Sequence, residues 1–184
     1  MKVFIVGTGL IGGSFALALK AVNPDNIIYG IDANPEHLEK ARSLNIIDHS
    51  ASLENVREAD LVIVAIPVDV NIEILKEILN VVNDNCLVID TGSTKARLCE
   101  SLRDHPKRRN FLAAHPIAGT EFSGPSAAVA SLYSNKTMII CEVEKTAFKL
   151  QEKALKLFQE LGMRIRYMDA GSHDKHIAYV SHLS

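Results

Sequence analysis

The sequence predicts the α/β class, with an open, doubly wound and mostly parallel sheet. Two observations carry that prediction. Short apolar runs rich in β-branched residues alternate along the whole chain with stretches of helical spacing, the pattern of strands joined by helical crossovers. A glycine turn, Gly7-Thr8-Gly9-Leu10-Ile11-Gly12, joins the first run to the first helix, as in Rossmann-type sheets that hold a nucleotide at a strand end. The chain has 184 residues, 47% of them hydrophobic and 23% charged, enough for one good core.

The first strand is Lys2-Val3-Phe4-Ile5-Val6. Gly7 permits the tight turn out of it, Gly9 has no side chain to keep a pyrophosphate away from the backbone, and Gly12 lets the helix pack near the sheet. The helix, about Leu10 to Val22, aims its unpaired N–H groups and positive dipole end at the same place. A second apolar run, Ile27 to Ile31, ends on Asp32, twenty residues after Gly12. A carboxylate there accepts hydrogen bonds from a ribose 2′-hydroxyl and repels a 2′-phosphate. Ala33 and Asn34 bring no arginine, so the cofactor predicted is NAD rather than NADP. A bare glycine pattern could be a simple turn; strand, helix, second strand and acid in this order make the nucleotide reading specific.

Asn34-Pro35-Glu36 predicts an N-cap, a first-turn proline and an acid, opening a helix to about Leu44. Ile46-Ile47 is expected to be a short third strand, and Ser52 to cap a short helix. Leu61 to Ala65 is a near-continuous apolar run, as in a strand covered on both faces. A helix follows from Val70 to Val82, then a strand from Cys86 to Asp90, stopped by Thr91-Gly92-Ser93. Thr94 is expected to cap a helix through about Arg103. Lys107-Arg108-Arg109, beside Pro106, is expected to be a solvated corner. Phe111 to Ala114 and Thr137 to Cys141 are strands, about Thr146 to Glu160 a helix, Met163 to Met168 the last strand, and about Ser172 to Ser184 a final helix.

Ligands of such sheets bind outside the carboxyl ends of the strands. Gly7 to Gly12, Asp32, Pro67, Thr91-Gly92-Ser93 and His115 all fall at predicted strand ends. Among these, His115 has the side chain suited to accepting a proton near neutral pH. Its plainer reading is a structural histidine held beside Pro116. The net charge of −2 offers no field for nucleic acid or anionic lipid. No apolar run reaches eighteen residues and no secretory segment precedes the first strand, so the expected setting is cytoplasmic, without membrane partners. Cys86, Cys99 and Cys141 lack metal-ligand spacing.

Four motifs now carry a family resemblance. Gly7 to Ser14, Asp90-Thr91-Gly92-Ser93-Thr94-Lys95, His115-Pro116-Ile117-Ala118-Gly119-Thr120-Glu121, and His173-Asp174 with Ser181-His182-Leu183 together resemble the prephenate dehydrogenase family. The resemblance spans essentially the whole chain. It implies NAD-dependent oxidative decarboxylation of prephenate, or of its amino relative arogenate, in tyrosine biosynthesis. It implies that His115 takes the proton of the substrate's ring hydroxyl as hydride leaves the same carbon, and that Ser93 contacts that hydroxyl and orients the histidine. Thr120, Glu121 and His182 are implied near the substrate, and Lys95 reads either as an attractor for the dianionic substrate or, just inside a helix, as solvated. Gly7, Thr8, Gly9, Leu10, Ile11, Gly12, Asp32, Pro67, Thr91 and Gly92 are assigned to the cofactor.

Family members continue into a helical second domain that forms a homodimer. The expected division is therefore a nucleotide-binding domain over residues 1–168 and the start of a truncated helical domain over 169–184, with Ile177, Val180 and Leu183 short of partners. His173 and His176 share a helix face, but His182 lies about half a turn away, so no metal site is expected. Two other readings stay open: another small-substrate dehydrogenase of similar fold, such as a β-hydroxyacid dehydrogenase, and an NAD-binding module without turnover.

Overall fold

The computed structural model describes residues 1–183, with side chains described through Ser181. Eight strands, β1 (Lys2–Val6), β2 (Ile27–Ile31), β3 (His49–Ser50), β4 (Leu61–Val64), β5 (Leu87–Asp90), β6 (Phe111–Ile117), β7 (Thr137–Cys141) and β8 (Arg164–Met168), form one sheet. Their spatial order is β3-β2-β1-β4-β5-β6-β7-β8. Every pairing is parallel except β6 with β7, where His115 sits opposite Ile139. The order reverses between β1 and β4, which leaves a crevice at the carboxyl ends of those strands.

Each inner strand is apolar on both faces because helices cover both. On one face Ile5, Ile63, Ile89 and Leu112 pack against Phe15 and Leu19 of α1 (Leu10–Val22) and Leu150 and Phe158 of α5 (Phe148–Glu160). On the other, Phe4, Val62, Val88 and Phe111 meet Leu75 and Leu79 of α3 (Asn71–Val81) and Leu98 and Leu102 of α4 (Ala96–Leu102). Each such side chain contributes about 1.5–3 kcal/mol on burial.

Several boundaries differ from the sequence reading, for identifiable reasons. Helix α2 (Pro35–Ser43) begins as expected, with the Asn34 side chain accepting from the Glu36 and His37 amides. Asn45 then takes a left-handed φ of 58°, and the amides of Ile46 and Ile47 both turn back to the Ala41 carbonyl. Their hydrogen bonds are thus spent on the helix end, and both residues plug the core while β3 forms two positions later. The Ser52 helix is a 3₁₀ segment, Leu53–Glu58. Thr94 does not cap α4; the Asp174 carboxylate does, accepting from the amides of Lys95 at 2.8 Å and Ala96 at 2.9 Å. Arg108 is buried instead of solvated, donating to the Phe111 carbonyl and reaching Glu142. Asp174 belongs to α6 (Ala170–Leu183), which therefore docks on the start of α4. No helix among the described residues is long and apolar enough to cross a membrane.

Candidate active site

At the end of β1 the three glycines of the turn play different parts. Gly7 has φ +96°, and a Cβ there would stand 2.2 Å from the Ala65 carbonyl oxygen. Gly12 is closed off as firmly, since its Cβ would fall 1.9 Å from the Gly7 oxygen and 2.8 Å from Ile5. Gly9 is the opposite: a Cβ would meet nothing within 4 Å. It lies at the N-terminus of α1, which has no side-chain cap and no acid in its first turn. Free helix N–H groups facing an open cradle with no side chain in it fit a phosphate.

Asp32 closes this cradle from β2. Its Oδ2 accepts from both the amide and the hydroxyl of Thr8 at 2.8 Å, and its Oδ1 accepts from the Asn34 amide at 2.9 Å. The carboxylate is therefore fixed at the strand end with lone pairs to spare. From β4 and β5, Pro67, Thr91, Gly92 and Ser93 line a crevice of about 440 Å³ together with Ile11 and Val68. The Thr91 hydroxyl donates to the Val64 carbonyl at 3.1 Å, tying the ends of the two strands together. Residues 125–134 lie over the glycine turn: Val129 donates its amide to Ser14 Oγ, and the Tyr133 hydroxyl donates to the Ile11 carbonyl at 2.7 Å.

His115 sits on β6, two residues beyond the last pairing of β6 with β5. The amide of Ala114 before it donates to Asp90 Oδ1 at 3.1 Å. Asp90 is fully buried, and so is Lys95, whose Nζ stands 2.5 Å from Asp90 Oδ2. This corrects the expectation of a solvated or substrate-facing Lys95: its side chain turns inward to neutralise a carboxylate. Burial pushes the Asp90 carboxyl above its ordinary value, against the pull of the Lys95 ammonium.

The half-buried His115 side chain places Nδ1 2.9 Å from Nε2 of His173. The two rings meet edge to face at 85° with centroids 5.1 Å apart. His173 is fully buried, and its Nδ1 lies 2.8 Å from Asp174 Oδ1. Burial above all, then the Lys95 ammonium and His173, push the His115 pKa down to about 4, with Asp174 pulling the other way. A neutral imidazole at pH 7 is able to accept a proton.

A concavity of about 330 Å³ opens beside His115, lined by Pro116, Ile117, Ala118, Ile177 and Val180. Ser93 lines the crevice near the glycine turn and not this one. Thr120 and Glu121 lie exposed in the segment after β6, where Thr120 Oγ1 accepts from the Phe122 amide at 3.1 Å; they line neither. The His182 side chain lies outside the described residues. A larger hollow of about 560 Å³, bordered by Cys99, Glu100, Arg103, Glu142 and Asp169, contains none of the predicted residues. No group of three potential metal ligands occurs among the described residues.

The contact that sequence reasoning missed is that of His173, backed by Asp174, with His115. The adjacent pair was visible as part of a motif, but nothing in local spacing brings residue 173 to residue 115; the course of β8 and α6 does.

Comparison with known proteins adds the following. A family model described as the nucleotide-binding domain of prephenate dehydrogenase matches residues 15–167. A cyclohexadienyl dehydrogenase of Zymomonas mobilis is 33% identical over 181 residues, covering 97% of this chain and 62% of that protein. A prephenate dehydrogenase of Lactococcus lactis is 35% identical over 186 residues, covering 98% of this chain and 50% of the relative. A crystal structure of prephenate dehydrogenase from A. aeolicus, in complex with hydroxyphenyl propionate and NAD+, superposes with a TM-score of 0.91 at 35% identity. It is matched over 100% of this chain and 65% of its own. The chain thus spans half to two thirds of the length of these relatives.

Proposed function

Because the chain belongs to the prephenate dehydrogenase family, we propose that it is the NAD-binding part of an enzyme that oxidatively decarboxylates prephenate, or arogenate, with His115 as the base. Bound NAD supplies the hydride acceptor. The open cradle at Gly9 and the free amides of α1 are suited to its pyrophosphate, and the Asp32 carboxylate to its ribose hydroxyls. Thr8, Leu10 and Ile11 shape the turn, while Pro67, Thr91 and Gly92 wall the crevice. His115 takes the proton of the substrate's ring hydroxyl as that carbon gives up hydride. The ring carboxylate then leaves as CO₂ and its bonding pair completes an aromatic ring. By the resemblance, Ser93 contacts the ring hydroxyl and orients His115 from the crevice side, Thr120 and Glu121 lie near the mouth of the substrate site, and His182 serves it as a hydrogen-bonding residue.

The observation that carries this reading is the state of His115: a half-buried imidazole on β6, past the carboxyl end of the neighbouring β5, whose pKa is pushed down to about 4. The test is formation of NADH, followed by absorbance, with prephenate and then arogenate, beside the rise in melting temperature that NAD induces. Reduction with either substrate supports the dehydrogenase. The chain's share of its relatives' length keeps a second reading alive, a nucleotide-binding module, which stabilisation by NAD without reduction would favour. In a full-length protein carrying the helical domain that the resemblance implies, the proposal extends to a homodimer, to be read from its mass in solution.

A further inference from the structure

We infer that His173 and Asp174 are positioning residues that hold the His115 imidazole with its proton on Nδ1, so that Nε2 is the atom that accepts the substrate's proton. The inference rests on the reading of His115 as the base.

It follows from counting protons along a chain of contacts. Asp174 is an acceptor only: burial works against its charge, but the amides of Ala96 and Lys95 and the His173 ring outweigh it and hold the carboxyl below its ordinary pKa. The 2.8 Å contact of His173 Nδ1 with Asp174 Oδ1 therefore needs the proton on His173 Nδ1. In a neutral His173, Nε2 is then a lone pair, so the 2.9 Å contact with His115 Nδ1 needs its proton from His115. For a neutral pair no other placement satisfies both hydrogen bonds, and it leaves a lone pair on His115 Nε2. A second partner that fixes tautomer and ring orientation is how histidines are made ready for one role.

The support beneath the relay is rigid. Asp174 is anchored by the first amides of α4, His173 is fully buried, and the residue before His115 is tied to Asp90, itself paired with Lys95 at the start of the same helix.

The test uses the 184-residue chain with ¹⁵N-labelled histidine, observing nitrogen shifts near pH 8. His115 is expected as the Nδ1–H tautomer. His173→Phe keeps a ring in the buried site and leaves Asp174 on α4, but removes the acceptor, and is expected to move His115 to Nε2–H. His173→Gln sets an amide oxygen where Nε2 stood and is expected to restore Nδ1–H. A melting temperature raised by NAD shows that each variant is folded. His115 found as Nε2–H in the unsubstituted chain, or unmoved by His173→Phe in a folded variant, overturns the inference. Where the chain turns over, His173→Phe is expected to lower kcat about 10²–10⁴-fold and leave the KM for NAD alone, with His173→Gln recovering part. A chain that forms no NADH at all counts against the dehydrogenase reading, while the tautomer result decides the positioning role by itself.

Discussion

Burial at His115 disfavours the protonated ring, and that one preference has two pH consequences. For the reaction, the acid limb of kcat/KM is expected near pH 4 rather than near 6.5, where an exposed histidine would put it. For the fold, an unfolded chain binds more protons at this ring than the native one between those pH values. The contribution of His115 is thus present above about 6.5 and is lost as the pH falls towards 4; His105, whose pKa burial also lowers, acts in the same sense. Urea midpoints measured at pH 7 and 4.5 should fall with pH, less steeply in His115→Asn. That variant should keep its NAD affinity and lose about 10²–10⁴-fold in turnover; an unchanged rate would place the base elsewhere. Asp32→Ala should weaken NAD by about 1.5–3 kcal/mol and narrow the preference over NADP, as read by titration with each dinucleotide. The place of Asp32 at the end of β2 was legible from its distance to Gly12. Its hold on Thr8 through two hydrogen bonds was not, because spacing tells where a side chain starts and not what its lone pairs meet.

At the scale of elements, the turn between β1 and α1 makes a prediction that separates stability from binding. Gly9→Ala meets no neighbour within 4 Å, so its melting temperature should hardly change while NAD binding is lost, the new methyl standing in the phosphate cradle. Gly12→Ala drives a Cβ to 1.9 Å from the Gly7 oxygen and should destabilise the fold itself, by more than the 1–3 kcal/mol usual for overpacking. Calorimetry with and without NAD distinguishes the two. Strands such as Leu61–Val64 were readable because four consecutive buried apolar residues suit little else. The strand at Ile46-Ile47 was misread because a helix end competes for the same amides. The cap of α4 was misread because its carboxylate comes from Asp174, 78 residues after Ala96, and local capping rules see only the neighbouring Thr94.

Over the whole molecule, alternation of strands and helices announced the sheet, but not that β7 and β8 run against the other six strands. Apolar runs carry no direction, and the reversal depends on residues 118–136 crossing to lie over α1. The Asp90–Lys95 pair is only five residues apart, but its burial depends on the helices packed over it and is not written in the local spacing. Lys95→Met should cost about 3–5 kcal/mol in chemical denaturation, since it strands a buried carboxylate, and adding Asp90→Asn should recover much of the loss. The borders of the sheet have a consequence of their own. One margin is the two-residue β3, and the other, β8, carries Arg164 and Arg166 along an unpaired row of backbone groups. A stub at one side and a positively charged margin at the other both disfavour the pairing of a further strand from another chain.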